Sequence, residues 1–314
     1  MRSLRDLVTT DIGEAVDALT AGGLVAIPTE TVYGLAAIAD RPEAVRRIYA
    51  TKGRPSDHPL IVHLASAAAL DGWVSDVPAA ATTLADACWP GPLTMLLPRG
   101  PRTGDWITGG RATVGVRVPA HPLTLAVLER LDNGVAAPSA NRFGKVSPTT
   151  AQHVLDDLGH LLDPDRDRIL DGGACQVGVE STIVDLTTDP PQLLRAGAID
   201  ADTVDRLLDT VVAAASGPSR AAGMLDSHYA PDCRVVLAES TEELERSAAR
   251  ARAAGARVTV LDRTDDLVAA AQLLYDDLRR ADRSGTDVLV VRMPPAAGLG
   301  HAIRDRLTKA AAGR

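Results

Sequence analysis

Short apolar runs alternate with helical patterns over residues 24–209, and this alternation constrains the fold of the 314-residue chain more than any other feature. Each run is rich in Val, Ile, Leu or other apolar residues, which is typical of buried strands. The runs cover residues 24–27, 60–64, 93–97, 114–118 and 182–186. Strands that alternate with helices in this way predict one α/β domain with a mixed sheet.

A helix is predicted between the first two strands, over residues 42–51. Apolar residues recur there at helical spacing, with a proline in the first turn and Gly53 directly past the end. Lys52 and Arg54 are therefore expected at the end of a helix, beside a tight turn.

The second half of the chain predicts a separate, smaller domain. Periodicity is lost over residues 211–231, where Ala, Ser, Gly and Pro accumulate, as in a linker or a functional loop. Three strand patterns then alternate with three helical patterns, which predicts a small parallel sheet with right-handed crossovers. No G-x-G-x-x-G follows the first of these strands, so a dinucleotide site is not predicted. We expect a large domain over residues 1–209, a linker or functional loop over residues 210–233, and a small α/β domain over residues 234–314.

Composition argues against several classes of function. A formal net charge of −8 does not suit a protein whose main task is to hold a nucleic-acid backbone. The three cysteines are far apart and form no C-x-x-C pair, so neither a disulfide framework nor a zinc site is predicted. No apolar run is long enough to span a bilayer, and no signal-peptide pattern opens the chain. The prediction is a soluble, cytoplasmic protein without a membrane partner.

Polar residues follow the first strand directly, in the order Thr29, Glu30 and Thr31. Because α/β folds place ligands at strand ends, these residues predict part of a binding site. The alternative is an ordinary turn with Gly34 at positive φ.

Three cations stand at positions where a charge is expected to have an anionic partner or ligand. Lys52 and Arg54 can converge on one polyanion, although cations also favour helix C-termini for dipole reasons alone. Arg117 is the only charge in an apolar strand, and a buried arginine is costly unless it is paired. It is expected either to meet an internal carboxylate or to face a pocket, where a ligand carboxylate would suit it.

A run of small residues leads from Ala137 to Ser139 and Asn141, with Ser147 shortly after. Small residues let the backbone approach a ligand, and the Ser and Asn side chains are neutral donors for phosphate oxygens. The alternative is a turn followed by a helix cap at Thr149 or Thr150. Two further polar segments, residues 179–183 and 194–197, also open or end strands.

Seven motifs occur together in one order: P-T-E-T-V-Y-G-L, K-G-R-P, P-L-I-V-H, W-P-G-P-L-T, R-V-P, P-S-A-N and E-S-T-I-V-D. With them the chain closely resembles the YrdC-like family and, in its two-domain form, the threonylcarbamoyl-AMP synthases. The resemblance is strong over residues 24–195 and looser beyond them. It implies a YrdC-like domain with a twisted mixed sheet, followed by a linker and a small Rossmann-like α/β domain.

The resemblance also implies an activity and its residues. The expected reaction condenses L-threonine, bicarbonate and ATP into threonylcarbamoyl-AMP and pyrophosphate, a nucleotidyl transfer that serves threonylcarbamoyladenosine modification of tRNA. Position by position, it implies that L-threonine contacts Thr31, His63, Arg117, Ala137 and Ser181. It implies that ATP contacts Lys52, Arg54, His58, Thr113, Ser139, Asn141, Ser147, Arg195 and, from the linker, Tyr229.

Catalysis is expected from Lys52 and Arg54, which would neutralise the phosphates together with Mg²⁺ carried on the nucleotide, since no Asp/Glu cluster suggests a metal cage. The expected partner is the later tRNA-modifying machinery, without a requirement for direct tRNA binding. The resemblance implies that residues 1–209 are the catalytic YrdC-like domain and that residues 210–233 form a linker and active-site lid. The linker departs from the family pattern at Ala222 and at residues 225–227.

Two other functions are possible for a chain of this kind. An RNA-binding protein of the same fold is one, but the acidic balance and a single Phe do not favour it. A carbamoyltransferase module that uses carbamoyl phosphate is the other, and the acylphosphatase-like and zinc-finger segments that accompany such modules are not found in this sequence.

Overall fold

A computed structural model of the chain describes residues 4–218, 220–221 and 229–312. The described residues form an eleven-stranded mixed sheet and a separate three-stranded sheet. This confirms the predicted α/β fold with a large mixed sheet and a second small one. No helix in these ranges is both long enough and apolar enough to cross a membrane.

The large sheet has the spatial order β1-β8-β2-β3-β7-β4-β6-β5-β9-β10-β11. Its strands are β1 (Val8–Thr9), β2 (Val25–Ile27), β3 (Gly34–Ile38), β4 (Ile61–His63), β5 (Leu93–Pro98), β6 (Thr113–Arg117), β7 (Val135–Ala136), β8 (Arg168–Leu170), β9 (Thr182–Asp185), β10 (Gln192–Arg195) and β11 (Ala213–Ala214). The helices around it are α1 (Ile12–Thr20), α2 (Pro42–Lys52), α3 (Ala79–Cys88), α4 (Asp105–Thr108), α5 (Pro122–Leu131), α6 (Ala151–Leu158) and α7 (Ala201–Leu208). Strand β11 lies in the segment predicted as a linker, and two alanines give no periodicity by which it could be predicted.

Helix α2 forms as predicted and fixes the position of two candidate cations. Pro42 occupies the first turn, and Gly53 ends the helix in the left-handed conformation with φ of 64°. Lys52 is therefore the last helical residue, and Arg54 follows the turn. The apolar face of α2 is buried in the main core, which holds the turn rigidly against the sheet.

The small sheet has the order β12-β14-β13, and its neighbouring strands are parallel. Its strands and helices alternate as predicted: β12 (Arg234–Ala238), α8 (Thr241–Ala253), β13 (Val258–Leu261), α9 (Leu267–Arg283), β14 (Val288–Arg292) and α10 (Leu299–Ala311). Apolar residues of α9 and α10 share one core cluster with Val32, Val146 and Val179, which belong to loops of the large sheet. The small sheet is thus joined to the large one by a shared apolar core.

Candidate active site

A cleft of about 560 Å³ lies where several strand ends of the large sheet meet. Nine predicted site residues line it: Thr31, Arg54, His63, Arg117, Ala137, Ser139, Ser181, Arg195 and Tyr229. All five residues implied for L-threonine are among them, together with four of those implied for ATP. The cleft is therefore the candidate active site.

The loop after β2 is fixed by the Thr29 hydroxyl. Thr29 Oγ1 donates to the Val32 carbonyl oxygen over 2.6 Å and accepts from the Val32 amide nitrogen at 3.1 Å. It also shares a hydrogen bond of 2.8 Å with Thr31 Oγ1, which orients the Thr31 side chain at the cleft. The alternative prediction of a turn with Gly34 at positive φ is wrong, because Gly34 begins β3. An added Cβ at Gly34 would lie 3.1 Å from the Ala137 Cβ, a tight contact that would require the neighbouring chain to shift by a few tenths of an ångström.

Arg117 meets an internal carboxylate and also faces the cleft, so both alternatives considered from the sequence hold. Its Nη2 lies 2.7 Å from Glu30 Oε1, and its Nε donates to the Gly91 carbonyl oxygen. His63 is the register partner of Arg117 on the neighbouring parallel strand. Burial, with the Arg117 charge nearby, lowers the pKa of His63 to about 3, so its imidazole is neutral at physiological pH.

Ser181 and Arg195 form another part of the cleft wall. Arg195 donates from Nε to the Ser181 carbonyl oxygen over 2.9 Å and from Nη2 to Ser181 Oγ over 3.0 Å. Ser181 Oγ also lies 2.8 Å from Thr94 Oγ1. A hydroxyl and a guanidinium are thus fixed together at the start of β9.

Arg54 brings a buried, incompletely satisfied guanidinium to the cleft. Its Nη2 donates to the Pro59 carbonyl oxygen over 2.9 Å, while its Nε is buried and has no hydrogen-bond partner among the described residues. Burial lowers the pKa of Arg54 to about 10, which still leaves the group charged at neutral pH. A buried donor without a partner is costly, and an anionic ligand oxygen would satisfy it.

The remaining predicted nucleotide residues do not line the cleft. Lys52 Nζ donates to the Ser139 carbonyl oxygen over 2.6 Å and to the Asn141 carbonyl oxygen, from behind the loop. Asn141 Nδ2 is itself bonded to two backbone carbonyl oxygens. Thr113 begins β6, at the end opposite Arg117. His58, outside the lining, packs edge-on against Phe143, with ring centroids 5.2 Å apart.

Ser147 also stands behind the cleft, where it donates to Glu180 Oε1 over 2.5 Å. Glu180 lines the cleft, although no role is predicted for it from the sequence. It is also bonded to Tyr275 and Arg306 of the small domain. Thr150 is the predicted helix cap, because its Oγ1 accepts from the His153 amide nitrogen.

Arg306 can also be singled out from the sequence. It is a charged residue on the apolar face of α10, in helical register with Ile303, Leu307 and Ala310. Like Arg117 in its strand, a single buried charge among apolar residues needs a partner.

Two family models match the chain in succession. One, for the Sua5, YciO and YrdC proteins and described as telomere recombination, matches residues 17–197. The other, described as the threonylcarbamoyl-AMP synthase C-terminal domain, matches residues 196–312. The chain belongs to the threonylcarbamoyl-AMP synthase family.

Individual relatives are similar in sequence to this chain over nearly its whole length. The threonylcarbamoyl-AMP synthase of Pyrococcus abyssi is 39% identical over 311 residues, covering 92% of this chain and 90% of that protein. The Bacillus subtilis enzyme of that name is 38% identical over 335 residues, covering 98% and 96%. Among solved structures, P. abyssi Sua5 complexed with L-threonine has a TM-score of 0.90 at 38% identity, covering 96% of this chain and 94% of that one. The two-domain family resemblance seen in the sequence is confirmed.

Proposed function

We propose that this chain is an L-threonylcarbamoyladenylate synthase that condenses L-threonine, bicarbonate and ATP into threonylcarbamoyl-AMP and pyrophosphate. The observation that carries the proposal is the convergence of three buried guanidinium groups, from Arg54, Arg117 and Arg195, on one cleft. Three fixed positive charges suit a ligand set that contains a carboxylate and a triphosphate. A relative solved with L-threonine supports the amino-acid half of the proposal.

The amino acid is assigned to the Arg117 side of the cleft. Arg117 is held by Glu30, so its guanidinium is oriented before the threonine carboxylate arrives. The neutral His63 ring and the Ser181 hydroxyl offer hydrogen bonds without a charge. Ala137 and Thr31 complete this side, where contact with the threonine methyl group would discriminate against serine by about 1–3 kcal/mol.

The nucleotide is assigned to Arg54, Ser139, Arg195 and Tyr229. Lys52 and Asn141 act from behind by holding the loop that carries Ser139, and Ser147 acts through Glu180. His58 and Thr113 stay predictions drawn from the family resemblance. Mg²⁺ is expected as part of the ATP substrate, since the nearby carboxylates Glu30 and Glu180 are already engaged by protein donors.

The reaction requires that the substrates be held in the right relative position, and it requires no nucleophile from the protein. The threonine amine attacks CO₂ derived from bicarbonate to give a carbamate, and a carbamate oxygen then attacks the α-phosphorus of ATP. The bond to the bridging oxygen breaks, and pyrophosphate leaves. Fixed guanidinium groups hold the two anions together and offset the charge that develops on the phosphates.

The proposal also gives a role to the segment between the domains and a destination to the product. Residues 210–233 are proposed to close the cleft as a lid, which is supported by Tyr229, a described residue of this segment that lines the cleft. Residues 219 and 222–228, including the atypical Ala222 and residues 225–227, lie outside the described residues. The product would pass to the tRNA-modifying machinery in the cytoplasm.

The test is pyrophosphate release from ATP by the purified protein, with threonine and bicarbonate each present or omitted. Release that requires both substrates is the expected result. Release in no combination would contradict the proposal and would favour a binding role or another carbamoyl donor. Salt-dependent affinity for RNA under the same conditions would support the RNA-binding alternative.

A further inference from the structure

Glu180 is a carboxylate on the wall of a cleft whose other charged lining residues, among those described, are the cations Arg54, Arg117 and Arg195. Only 6% of the residue is exposed, and the carboxylate is held from behind by three donors. Ser147 Oγ lies 2.5 Å from Oε1, while Tyr275 Oη at 2.6 Å and Arg306 Nε at 2.8 Å both donate to Oε2. Without these donors, a negative charge at this position would oppose the binding of phosphates.

Two of the three donors come from the small domain. Tyr275 lies on α9 and Arg306 on α10, and both are completely buried. Arg306 also donates from Nη2 to the Ala196 carbonyl oxygen over 3.0 Å, directly beside Arg195. One guanidinium of the small domain therefore contacts both Glu180 and the residue that follows Arg195.

The charges in this cluster are strongly coupled. Burial raises the pKa of Glu180, but the nearby charges of Arg306 and Arg195 more than offset burial and lower it to about 2. Glu180 is therefore ionised, and Arg306 is the counter-charge that affects it most. The groups around the carboxylate are, from each packed element, Ser147, Arg195, Tyr229, Tyr275, Asp305 and Arg306.

We propose that Arg306 and Tyr275 are positioning residues for the nucleotide side of the active site. They neutralise Glu180 and hold it in place, so that Arg195 remains directed at the ligand and is not drawn into a pair with Glu180. The small domain thereby completes the catalytic cleft rather than serving only as a folded appendage. This inference rests on the proposed function, because it assigns the nucleotide to Arg195.

Removal of Arg306 leaves Glu180 without its main counter-charge. The carboxylate then either turns to Arg195, with which it already interacts electrostatically, or stays charged at the cleft wall. Both responses weaken ATP binding, and both disappear once Glu180 is neutral. A second substitution, Glu180→Gln, should therefore rescue the Arg306 variant, which simple loss of domain docking would not allow.

The experiment measures the ATP dissociation constant by calorimetry without threonine, for wild type, Arg306→Met, and Arg306→Met with Glu180→Gln. We expect Arg306→Met to weaken binding about tenfold and the double variant to regain most of that loss. Because Glu180 regains a higher pKa without Arg306, ATP affinity of Arg306→Met should also recover as the pH is lowered towards the ordinary carboxyl range. The matched control is Arg304→Met on the same helix, because Arg304 pairs with Glu239 within the small domain and should leave the constant unchanged.

A milder variant keeps the test decisive if Arg306→Met does not fold. Tyr275→Phe removes one hydrogen bond to Glu180 and keeps the ring, so it should weaken ATP binding in the same direction and be rescued by Glu180→Gln. Wild-type protein that bound no ATP would overturn the proposed function. Wild-type binding with unchanged constants in these variants, or no rescue by Glu180→Gln, would overturn the positioning role alone.

Discussion

Arg117 on β6 lies 2.7 Å from the Glu30 carboxylate, and neither side chain is more than 9% exposed. Glu30 also accepts a hydrogen bond from the Ala120 amide nitrogen, so the carboxylate is held on both oxygens. A buried pair of this kind gives orientation more than net stability, because desolvation of both ions offsets their attraction. The pair therefore directs one guanidinium into the cleft.

The first prediction concerns this pair. Arg117→Met should lower the free energy of unfolding by about 3–5 kcal/mol, because it leaves Glu30 buried without a counter-charge, and should abolish threonine binding. Urea unfolding and calorimetry with threonine measure the two effects. The control is Arg99→Met, whose exposed pair with Asp105 should contribute less than about 1 kcal/mol. Threonine binding at wild-type strength in Arg117→Met would contradict the assignment.

The second prediction separates the two cations near the end of α2. Arg54→Met should reduce kcat/KM for ATP by about 100-fold with little loss of stability, since Arg54 faces the ligand. Lys52→Met should reduce both activity and stability, because Lys52 holds the Ser139 and Asn141 carbonyl oxygens from behind. Steady-state kinetics and thermal unfolding of both variants distinguish these roles. Equal losses of stability would show that Arg54 is also structural.

The third prediction is a pH dependence of stability due to His63. Its pKa is lowered from 6.5 to about 3 in the folded protein, so the unfolded chain binds more protons between these values. The contribution of neutral His63 to the free energy of unfolding is complete above pH 6.5. It is lost as the pH falls towards 3, which lowers the free energy of unfolding by as much as about 5 kcal/mol. The difference in unfolding free energy between wild type and His63→Gln should therefore shrink on acidification. Parallel pH curves for the two proteins would be the contrary result.

The fourth prediction concerns Gly197, which lies two residues after Arg195 and packs against the segment that carries Ser181. A Cβ at this position would lie 2.3 Å from the Thr182 amide nitrogen and 2.7 Å from the Glu180 carbonyl oxygen. Gly197→Ala should displace that backbone, destabilise the protein by about 1–3 kcal/mol and weaken threonine binding. The matched control is Gly115→Ala, whose Cβ would meet only side-chain atoms at 3.3 Å or more. Similar behaviour of the two variants would count against this view.

The sequence was sufficient for features that depend on local order. Helix α2, its glycine end and the strands of the small sheet follow from periodicity and turn residues, which act over a few neighbouring positions. Arg117 could be singled out because one charge in an apolar strand requires a partner. The partner itself, Glu30, is 87 residues away and could not be identified from spacing.

The contribution of the small domain could not be predicted for the same reason. Arg306 and Glu180 are 126 residues apart, and their contact depends on how two separately patterned sheets dock. Which polar residues line the cleft and which support it from behind also depends on the tertiary structure. Lys52 and Arg54 are separated by one residue, yet the left-handed turn at Gly53 puts only Arg54 among the residues that line the cleft.

The apolar core shared by both sheets limits which small domains from related proteins could replace the native one. The interface between the domains is part of the hydrophobic core, because residues of the small domain pack with Val32, Val146 and Val179. A small domain transplanted from a relative would have to match the shape of these three valines to within about a methyl group. Chimeric enzymes should therefore work best when these loop residues are transferred along with the domain that packs against them.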